Sequence, residues 1–490
     1  MKMSGGNTGK LVTSINEHIT ACCKTIFSYS FAARSLFKDI SGYILLFPLL
    51  IEHTFGYHIL RGECMKRVIF HIDVNSAFLS WEAVYRLKHL SGNLDLRLVP
   101  SAVGGDVTMR HGIILAKSIP AKKYGIHTGQ SVTEALQKCP GLLLVPPNYN
   151  LYQRSSDAFI RILKEYSPTV EQYSIDEAYM DMTGLEALFG EPRKAALEIG
   201  KRIREELGFT VNIGVADNKV LAKMASDFKK PDRVHTLWTG EIREKLWPLP
   251  VSDLFFVGRA TFRKLGQLGI KTIGDLAGTD PGLVKSHFGK MGEVIWGFAH
   301  GLDFSAVEPV PPPNKGYGNS TTIAFDVVER EHAHLVLLSL AETLAARLRS
   351  DKVRAGVLAV GIKDWDFHYY SHQAPLSSPT NITEEIFKTA CRVFDEAWDE
   401  LPVRHLGIHT SQITKGSERQ LGLFDTGDYE RLERLDRTVD EIRKRFGNDS
   451  IIRASFLKSP QNRPARCLDH MGGGISREKR TVDYSRQTIL

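Results

Sequence analysis

Two adjacent carboxylates, Asp176 and Glu177, stand inside an apolar and aromatic run at 173–181 that otherwise has the character of a β-strand. An ionised carboxylate in such surroundings costs roughly several kcal/mol unless a cation or a set of hydrogen bonds compensates its charge. Because a divalent metal ion provides that compensation with few groups, the run predicts a metal site. An exposed turn is the alternative for an isolated acidic pair.

A third carboxylate, Asp73, ends a second strand-like run that begins at Val68. A sheet can place the end of this strand beside the turn that carries Asp176 and Glu177. Three hard oxygen ligands suit Mg²⁺. Two such ions about 4 Å apart can activate a hydroxyl and stabilise a leaving pyrophosphate. On these residues alone, the metal site and the exposed turn both stay open.

The composition is that of a globular protein with several domains. The chain has 490 residues, of which 42% are hydrophobic and 24% charged, and a formal charge of +7. Its length exceeds what one hydrophobic core usually serves, and its composition excludes wholesale disorder. The mild positive charge permits a polyanionic partner without identifying one. Cysteines without metal-finger spacing predict reduced thiols in a cytoplasmic protein.

The first 64 residues do not match the rest of the chain. Their most apolar run, 43–51, contains Pro48 and is too short to span a bilayer. It also lies too far from the N-terminus for a secretory signal, so we predict no membrane association. Residues 61–63 can be encoded by a purine-rich stretch that resembles a bacterial ribosome-binding site. This pattern favours translation from Met65, directly before the first core strand.

The rest of the chain alternates between two kinds of pattern. Strand-like and helical runs mix up to about residue 250, which predicts an α+β arrangement. Short helical runs broken by glycines follow and predict a small helical domain. A proline-rich linker at 306–316 then marks the clearest domain boundary. A second α+β domain follows this linker, and the glycine- and charge-rich residues 458–490 predict a disordered tail.

Four motifs occur in the order seen in Y-family DNA polymerases, at 71–78 (HIDVNSAF), 174–178 (SIDEA), 214–219 (GVADNK) and 229–231 (KKP). The chain resembles a bacterial translesion polymerase of the UmuC/DinB type over 66–453. The ordered combination is far more specific than any single motif. The resemblance implies an α+β multi-domain, right-hand polymerase with a ferredoxin-like palm, small fingers, a helical thumb and an α+β little finger.

The resemblance also divides the chain into parts. They are a non-family extension at 1–64, a palm at 65–76 and 141–250, fingers at 77–140, a thumb with helix-hairpin-helix units at 251–305, the linker at 306–316, a little finger at 317–413, a clamp-binding segment with a helix at 414–457, and the tail at 458–490.

By the same resemblance, the palm binds two Mg²⁺ ions through Asp73, Asp176 and Glu177, together with the backbone carbonyl of Val74. Phe78 matches the aromatic steric gate of the family. A flat ring against the sugar leaves no room for a 2′-hydroxyl and so selects deoxynucleotides by exclusion. An ordinary core phenylalanine is the alternative for Phe78.

The expected nucleotide site includes Lys230, which by resemblance reaches the incoming triphosphate. The fingers depart from the common pattern, because Ile119 and Lys122 stand where many relatives carry a tyrosine and an arginine. An ammonium keeps the charge at Lys122 but lacks the forked donors of a guanidinium. Tyr149 and Tyr152 are candidates to supply a hydroxyl, with packing as the alternative.

The thumb and the little finger supply the expected DNA contacts. Gly258, Arg259, Gly289 and Lys290 lie in two loops that resemble helix-hairpin-helix units, whose backbone N–H groups bind phosphates without reading sequence. Phe256 replaces the first glycine of the usual pattern, so we expect the first hairpin to hold DNA less closely. A helix-turn-helix packing unit is the alternative.

Two further features follow the linker. Arg354, near Arg347, Arg349 and Lys352, is a candidate phosphate contact, with solvated surface charge as the alternative. The pentapeptide at 420–424 resembles the bacterial sliding-clamp binding motif, whose apolar anchors fill a groove on the partner. Its anchors here are Gln420, Leu421, Leu423 and Phe424. A short amphipathic packing segment is the alternative, and the helical pattern at 428–446 has no assigned role.

The expected function is DNA-directed DNA synthesis past lesions, in DNA damage tolerance, repair and the SOS response. The primer 3′-hydroxyl attacks the α-phosphate of a dNTP, and pyrophosphate leaves. Expected partners are primed template DNA, dNTP and the sliding clamp, and the protein is expected to be a monomer. One alternative is an untemplated nucleotidyl transferase or cyclase. The other is a catalytically weak or inactive accessory subunit that binds DNA and the clamp.

Overall fold

The computed structural model describes residues 66–90, 92–105, 112–416, 428–448 and 450–456. The chain divides into two units after Met65, and every described residue belongs to the second. The expectations for the extension at 1–64, the pentapeptide at 420–424 and the tail at 458–490 lie outside the described residues. None of the helices in the described ranges is long and apolar enough to cross a membrane.

Twelve strands form three sheets within the described part of the chain. The strands are β1 (Ile69–Val74), β2 (Ser101–Gly104), β3 (Ile114–Lys117), β4 (Leu143–Val145), β5 (Val170–Gln172), β6 (Glu177–Asp181), β7 (Val211–Ala216), β8 (Val234–Leu237), β9 (Tyr317–Val327), β10 (Val353–Asp364), β11 (Tyr369–Thr380) and β12 (Val403–Lys415).

The α-helices cover these sheets or form the segment between them. They are α1 (Ala77–His89), α2 (Ile119–Lys123), α3 (Val132–Lys138), α4 (Tyr149–Tyr166), α5 (Glu186–Phe189), α6 (Pro192–Leu207), α7 (Lys219–Asp227), α8 (Arg259–Gln267), α9 (Ile273–Gly278), α10 (Pro281–Phe288), α11 (Lys290–Ala299), α12 (Arg330–Ser350), α13 (Thr383–Ala397) and α14 (Tyr429–Phe446).

The palm sheet has the strand order β5-β6-β1-β7-β8, with β1 antiparallel to both β6 and β7. Side chains alternate between the two faces of a strand. Phe70 and Ile72 therefore enter the core formed with α1, α4 and α6. His71 and Asp73 point to the other face, where Ser226 of α7 binds the His71 ring at 2.8 Å. The alternation thus directs Asp73 toward α7.

Gly214 of β7 allows α7 to lie very close to the palm sheet. A Cβ at this position would stand 1.9 Å from the carbonyl oxygen of Ala222 and 2.5 Å from the nitrogen of Ser226. The side chain of Asn218 caps the N-terminus of α7 by accepting from the N–H of Leu221 at 3.0 Å. The helix is therefore held directly over the face that carries Asp73.

A small sheet of order β3-β2-β4 forms the region expected to be the fingers. It packs against α2 and α3 through its own core, which includes Ile114, Ala121 and Val132. Strand β4 pairs in parallel with β2, so this sheet continues past residue 140. Ser118 and Ser131 cap α2 and α3, respectively.

Past the thumb helices α8–α11, residues 306–316 contain neither helix nor strand. The last domain has an antiparallel sheet of order β11-β10-β12-β9, covered by α12 and α13. Helix α14 is attached to this domain by ion pairs. Arg349 lies 3.0 Å from Asp436 and 2.6 Å from Asp440, and Arg354 lies 2.6 Å from Glu433.

Candidate active site

Asp73 and Glu177 face each other across two neighbouring strands of the palm sheet. They are register partners in the antiparallel pairing of β1 with β6. Asp73 is buried, and the N–H of Val74 donates to the carbonyl of Asp176 at 3.0 Å. The palm therefore brings together the two segments that the sequence predicted to meet.

Asp176 occupies the turn between β5 and β6. Its carboxylate accepts a hydrogen bond from the Ser174 hydroxyl at 2.7 Å. The backbone N–H of Asp176 donates to the Ser174 hydroxyl oxygen at 3.2 Å. Within the ranges that the structure describes, no group of three His, Cys, Asp or Glu side chains is gathered closely enough to hold a metal ion. Asp176 thus adjoins the Asp73–Glu177 pair without converging on it.

Lys223 of α7 lies between the two paired carboxylates. Its ammonium is 2.6 Å from Glu177 and 3.5 Å from Asp73, and the side chain is buried. Burial opposes the charge of Lys223, but Asp227, Glu177 and Asp73 outweigh it and raise the pKa of Lys223. Lys223 was not among the site residues expected from the sequence. A glycine that permits close helix packing, as at Gly214, is the signal in the sequence that α7 approaches the sheet.

Lys230 also lies beside Asp73, and its expected contact with a triphosphate stays a prediction. Its ammonium lies 2.7 Å from Asp73 and 2.8 Å from Asp227. The buried amide of Asn212 holds the loop that carries Lys230, because it donates to the carbonyls of Ser226 and Lys229, each at 2.9 Å. Asn212 is a second positioning residue that was not expected from the sequence.

The donor set fits a hard divalent cation. Burial raises the pKa of Glu177, and the neighbouring Asp73 acts in the same direction, while Lys223 opposes the rise. Two side-by-side carboxylates therefore require positive charge, which Lys223 and Lys230 provide in this arrangement. Carboxylate oxygens are the ligands that Mg²⁺ prefers.

Phe78 lies in the first turn of α1, a few residues after Asp73. Its ring stacks on Tyr152 with the centroids 4.4 Å apart and the planes 9° apart. Tyr149 meets the same ring edge-on at 6.2 Å. Phe78 is half-buried, so one part of the ring is fixed by packing and another remains accessible.

Tyr152 does not fit the expectation of a substrate-binding hydroxyl. The residue is fully buried, and its hydroxyl donates to the carboxylate of Glu82 at 3.1 Å. Glu82 is itself buried and lies 3.5 Å from Arg86. Burial raises the pKa of Glu82. Packing behind Phe78, the alternative left open for Tyr152, is therefore what the structure shows.

The remaining expected contacts lie in the fingers and thumb. Lys122 is exposed at the end of α2. Gly258 directly precedes α8 and Gly289 directly precedes α11, so Arg259 and Lys290 are the first residues of these helices. Both basic residues are exposed. Their contacts with nucleotide or DNA remain predictions.

Arg354 is not placed as a surface phosphate contact. Its side chain is buried and pairs with Glu433 of α14 at 2.6 Å. The helix that covers it comes much later in the chain, which explains why the sequence pattern around Arg354 resembled exposed charge. The expectation of a phosphate contact at Arg354 is therefore wrong, and the residue forms a structural ion pair.

The chain matches the impB/mucB/samB family over residues 72–227 and the C-terminal domain of that family over 314–423. It is 43% identical over 401 residues to DNA polymerase IV of Clostridium acetobutylicum. The aligned region covers 81% of this chain and 100% of that protein. The chain belongs to the impB/mucB/samB family. The expected class, a Y-family translesion DNA polymerase, is thereby confirmed.

Further relatives are similar in sequence, and a solved structure shares the fold. DNA polymerase IV of Acetivibrio thermocellus is 39% identical over 80% of this chain and 98% of that protein. DNA polymerase IV 1 of Bacillus subtilis is 35% identical over 81% of this chain and 95% of that protein. A Y-family DNA polymerase chimera of known structure superposes with a TM-score of 0.61 at 22% identity, over 71% of this chain and all of that one. The expected multi-domain α+β fold is confirmed.

Proposed function

We propose that this chain adds deoxynucleotides to a primer 3′-hydroxyl on a DNA template, with release of pyrophosphate, in bacterial DNA damage tolerance. The observation that carries the proposal is the in-register pair of Asp73 and Glu177 with Lys230 beside it. The sequence identity between this chain and proteins named DNA polymerase IV supports the class of reaction.

Asp73, Asp176, Glu177 and the carbonyl of Val74 are the proposed ligands of two Mg²⁺ ions. Mg²⁺ bound by such a set lowers the pKa of an attacking hydroxyl and neutralises charge on the leaving group. Asp176 serves this site when its carboxylate leaves the hydroxyl of Ser174. Lys223 then remains as a fixed positive charge on the α7 side of the carboxylates.

Lys230 binds the triphosphate in this proposal. Its side chain is 37% exposed, unlike that of Lys223 at 10%, so it can move without leaving a buried cavity. When phosphate oxygens replace the Asp73 carboxylate as the partner of Lys230, the Lys230 ammonium stays paired with negative charge. Lys122 approaches the triphosphate from the fingers, and Tyr149 contributes by holding the edge of Phe78.

Phe78 excludes ribonucleotides. A ring stacked on a buried tyrosine cannot retreat when a 2′-hydroxyl approaches, because the side chains behind it are closely packed. Gly258, Arg259, Gly289 and Lys290 bind phosphates of the primed duplex. The pentapeptide at 420–424 binds a sliding clamp, and the protein works as a cytoplasmic monomer on that clamp.

Primer extension tests the proposal. Wild-type protein with Mg²⁺ should extend a primed template, opposite a normal base and opposite an abasic site. The double variant Asp176→Ala with Glu177→Ala should still bind the DNA but incorporate nothing. If the wild type binds primed DNA and clamp but incorporates no nucleotide, the accessory-subunit alternative replaces this proposal.

A further inference from the structure

Four aromatic rings connect the catalytic hairpin of the palm to the first hairpin of the thumb. Tyr173 contacts Phe255 at 6.4 Å, Phe255 stacks on Phe256 at 4.3 Å, and Phe256 stacks on Phe298 at 5.7 Å, all between centroids. We name Tyr173, Phe255, Phe256 and Phe298 the palm–thumb aromatic cluster. It has both buried and solvent-facing parts: Phe255 and Phe298 pack on a hydrophobic core that the palm and the thumb share, whereas Tyr173 and Phe256 are exposed.

Phe256 is the unusual member of this cluster. Its backbone has φ of 71°, in the left-handed region that favours glycine, and its side chain is 49% exposed. A phenylalanine here satisfies neither the backbone preference nor the tendency of aromatic rings to be buried. Strained residues that the surrounding structure holds in place are concentrated at ligand-binding and catalytic sites. The position therefore points to a ligand.

The location of the cluster identifies that ligand. Tyr173 is 46% exposed and stands in the same hairpin as the proposed catalytic residue Asp176. Phe256 is followed closely by Gly258 and the exposed Arg259, where α8 begins. A primer whose 3′ end lies at the carboxylates and whose phosphates bind at this hairpin must cross the surface between them. The cluster occupies that surface.

We propose that Phe256 and Tyr173 pack against the deoxyriboses of the primer strand close to its 3′ end. Deoxyribose presents an apolar C–H face, so an exposed ring can cover it without reading the base sequence. The ring at 256 then adds an apolar contact where a glycine would offer backbone groups alone. The inference rests on the proposed polymerase function and reverses the expectation that Phe256 loosens the first hairpin.

Equilibrium binding of a fluorescent primed DNA, measured by anisotropy at several salt concentrations without nucleotide, tests the proposal. Phe256→Ala should weaken binding by about tenfold, which corresponds to the lower part of the range for aromatic stacking on a nucleic-acid base. Because no charge is lost, the slope of log Kd against log salt should equal that of wild type. Arg259→Ala should instead reduce the slope by about one.

Two further variants make the test decisive. Phe262→Ala removes a ring that is 43% exposed on α8 but outside the cluster, and it should leave the affinity unchanged. Phe256→Asn places a residue that tolerates left-handed backbone at the same position, and it should weaken binding as Phe256→Ala does. Melting temperatures of all variants report whether the thumb is folded.

Wild-type affinity in both folded Phe256 variants would overturn the proposal and leave the cluster as packing between palm and thumb. An equal loss for Phe262→Ala would also overturn it, because the effect would then not be specific to the cluster. Failure of the wild type to bind primed DNA would instead reject the proposed function itself. Loss confined to the Phe256 variants supports the primer contact.

Discussion

The ammonium of Lys223 lies 2.6 Å from Glu177 and 3.5 Å from Asp73, so a buried lysine supplies part of the positive charge that the carboxylate pair requires. Lys223→Met should leave Glu177 without its cation, while Lys230 stays beside Asp73, and should lower the free energy of unfolding by about 3 kcal/mol in metal-free buffer. Added Mg²⁺ should restore more stability to the variant than to wild type, because the ion replaces the lost charge. Thermal and denaturant unfolding with and without Mg²⁺ measure both effects.

Lys245→Met is the matched control for Lys223→Met. Lys245 forms a surface ion pair with Glu241 at 2.6 Å, and their side chains are 39% and 30% exposed. Exposed pairs contribute little, so this variant should change the free energy of unfolding by less than about 1 kcal/mol and show no extra response to Mg²⁺. Equal behaviour of the two variants would contradict a special role for Lys223.

Phe78→Ala should relax discrimination against ribonucleotides. Loss of the ring opens the space that a 2′-hydroxyl would occupy, and pocket changes of this size alter selectivity about tenfold or more. The measurement is the ratio of kcat/KM for dNTP and the matching rNTP on one primed template. Phe78→Tyr keeps the flat ring and should retain wild-type selectivity. An unchanged ratio in Phe78→Ala would show that another group reads the sugar.

Glu82→Gln should flatten the pH dependence of stability. Burial raises the pKa of Glu82 above its ordinary 4.5, so the folded protein holds this proton more tightly than the unfolded chain does. The stability from Glu82 is therefore present below 4.5 and is lost as the pH rises through the raised pKa. A glutamine cannot ionise but can still accept from Tyr152. Melting temperatures from about pH 4 to about pH 8 should therefore fall less in the variant.

Glu134→Gln should change the pH dependence of stability in the opposite direction. Lys138 lowers the pKa of Glu134, so its stabilising effect is present above the ordinary pKa and is lost as the pH falls. The two substitutions should thus change the pH profile at opposite ends. If the melting temperature of Glu82→Gln depended on pH as that of wild type does, the prediction would be wrong, and Arg86 would fully compensate the buried carboxylate.

Gly214→Ala should displace α7 and with it Lys223. The added Cβ would meet the carbonyl oxygen of Ala222 at 1.9 Å, and a local movement of the backbone cannot relieve this clash. We expect a loss of about 3 kcal/mol in the free energy of unfolding, at the upper end for overpacking, together with reduced primer extension. At Gly240 a Cβ would meet nothing within 4 Å. Gly240→Ala should therefore stay within about 0.5 kcal/mol of wild type, and a similar cost at both glycines would contradict the close-packing argument.

Local patterns in the sequence predicted strands at β1 and β6 of the palm sheet but not which partner every side chain would contact. Alternation along β1 and β6 placed Asp73 and Glu177 at strand ends, and the sheet pairs them in register. Lys223 was not predicted, because Gly214 signals only that α7 lies close to the sheet, and packing decides which face of α7 turns toward it. The role of Tyr152 depends on Glu82, which a different helix supplies.

Arg354→Leu separates a structural ion pair from a DNA contact. The Arg354 side chain is 5% exposed and lies 2.6 Å from Glu433, so the substitution leaves a largely buried carboxylate without this partner. We expect the free energy of unfolding to fall by about 3 kcal/mol. Because no phosphate contact is lost, the salt slope of DNA binding should match wild type, whereas a fall of about one in that slope would restore Arg354 as a phosphate ligand.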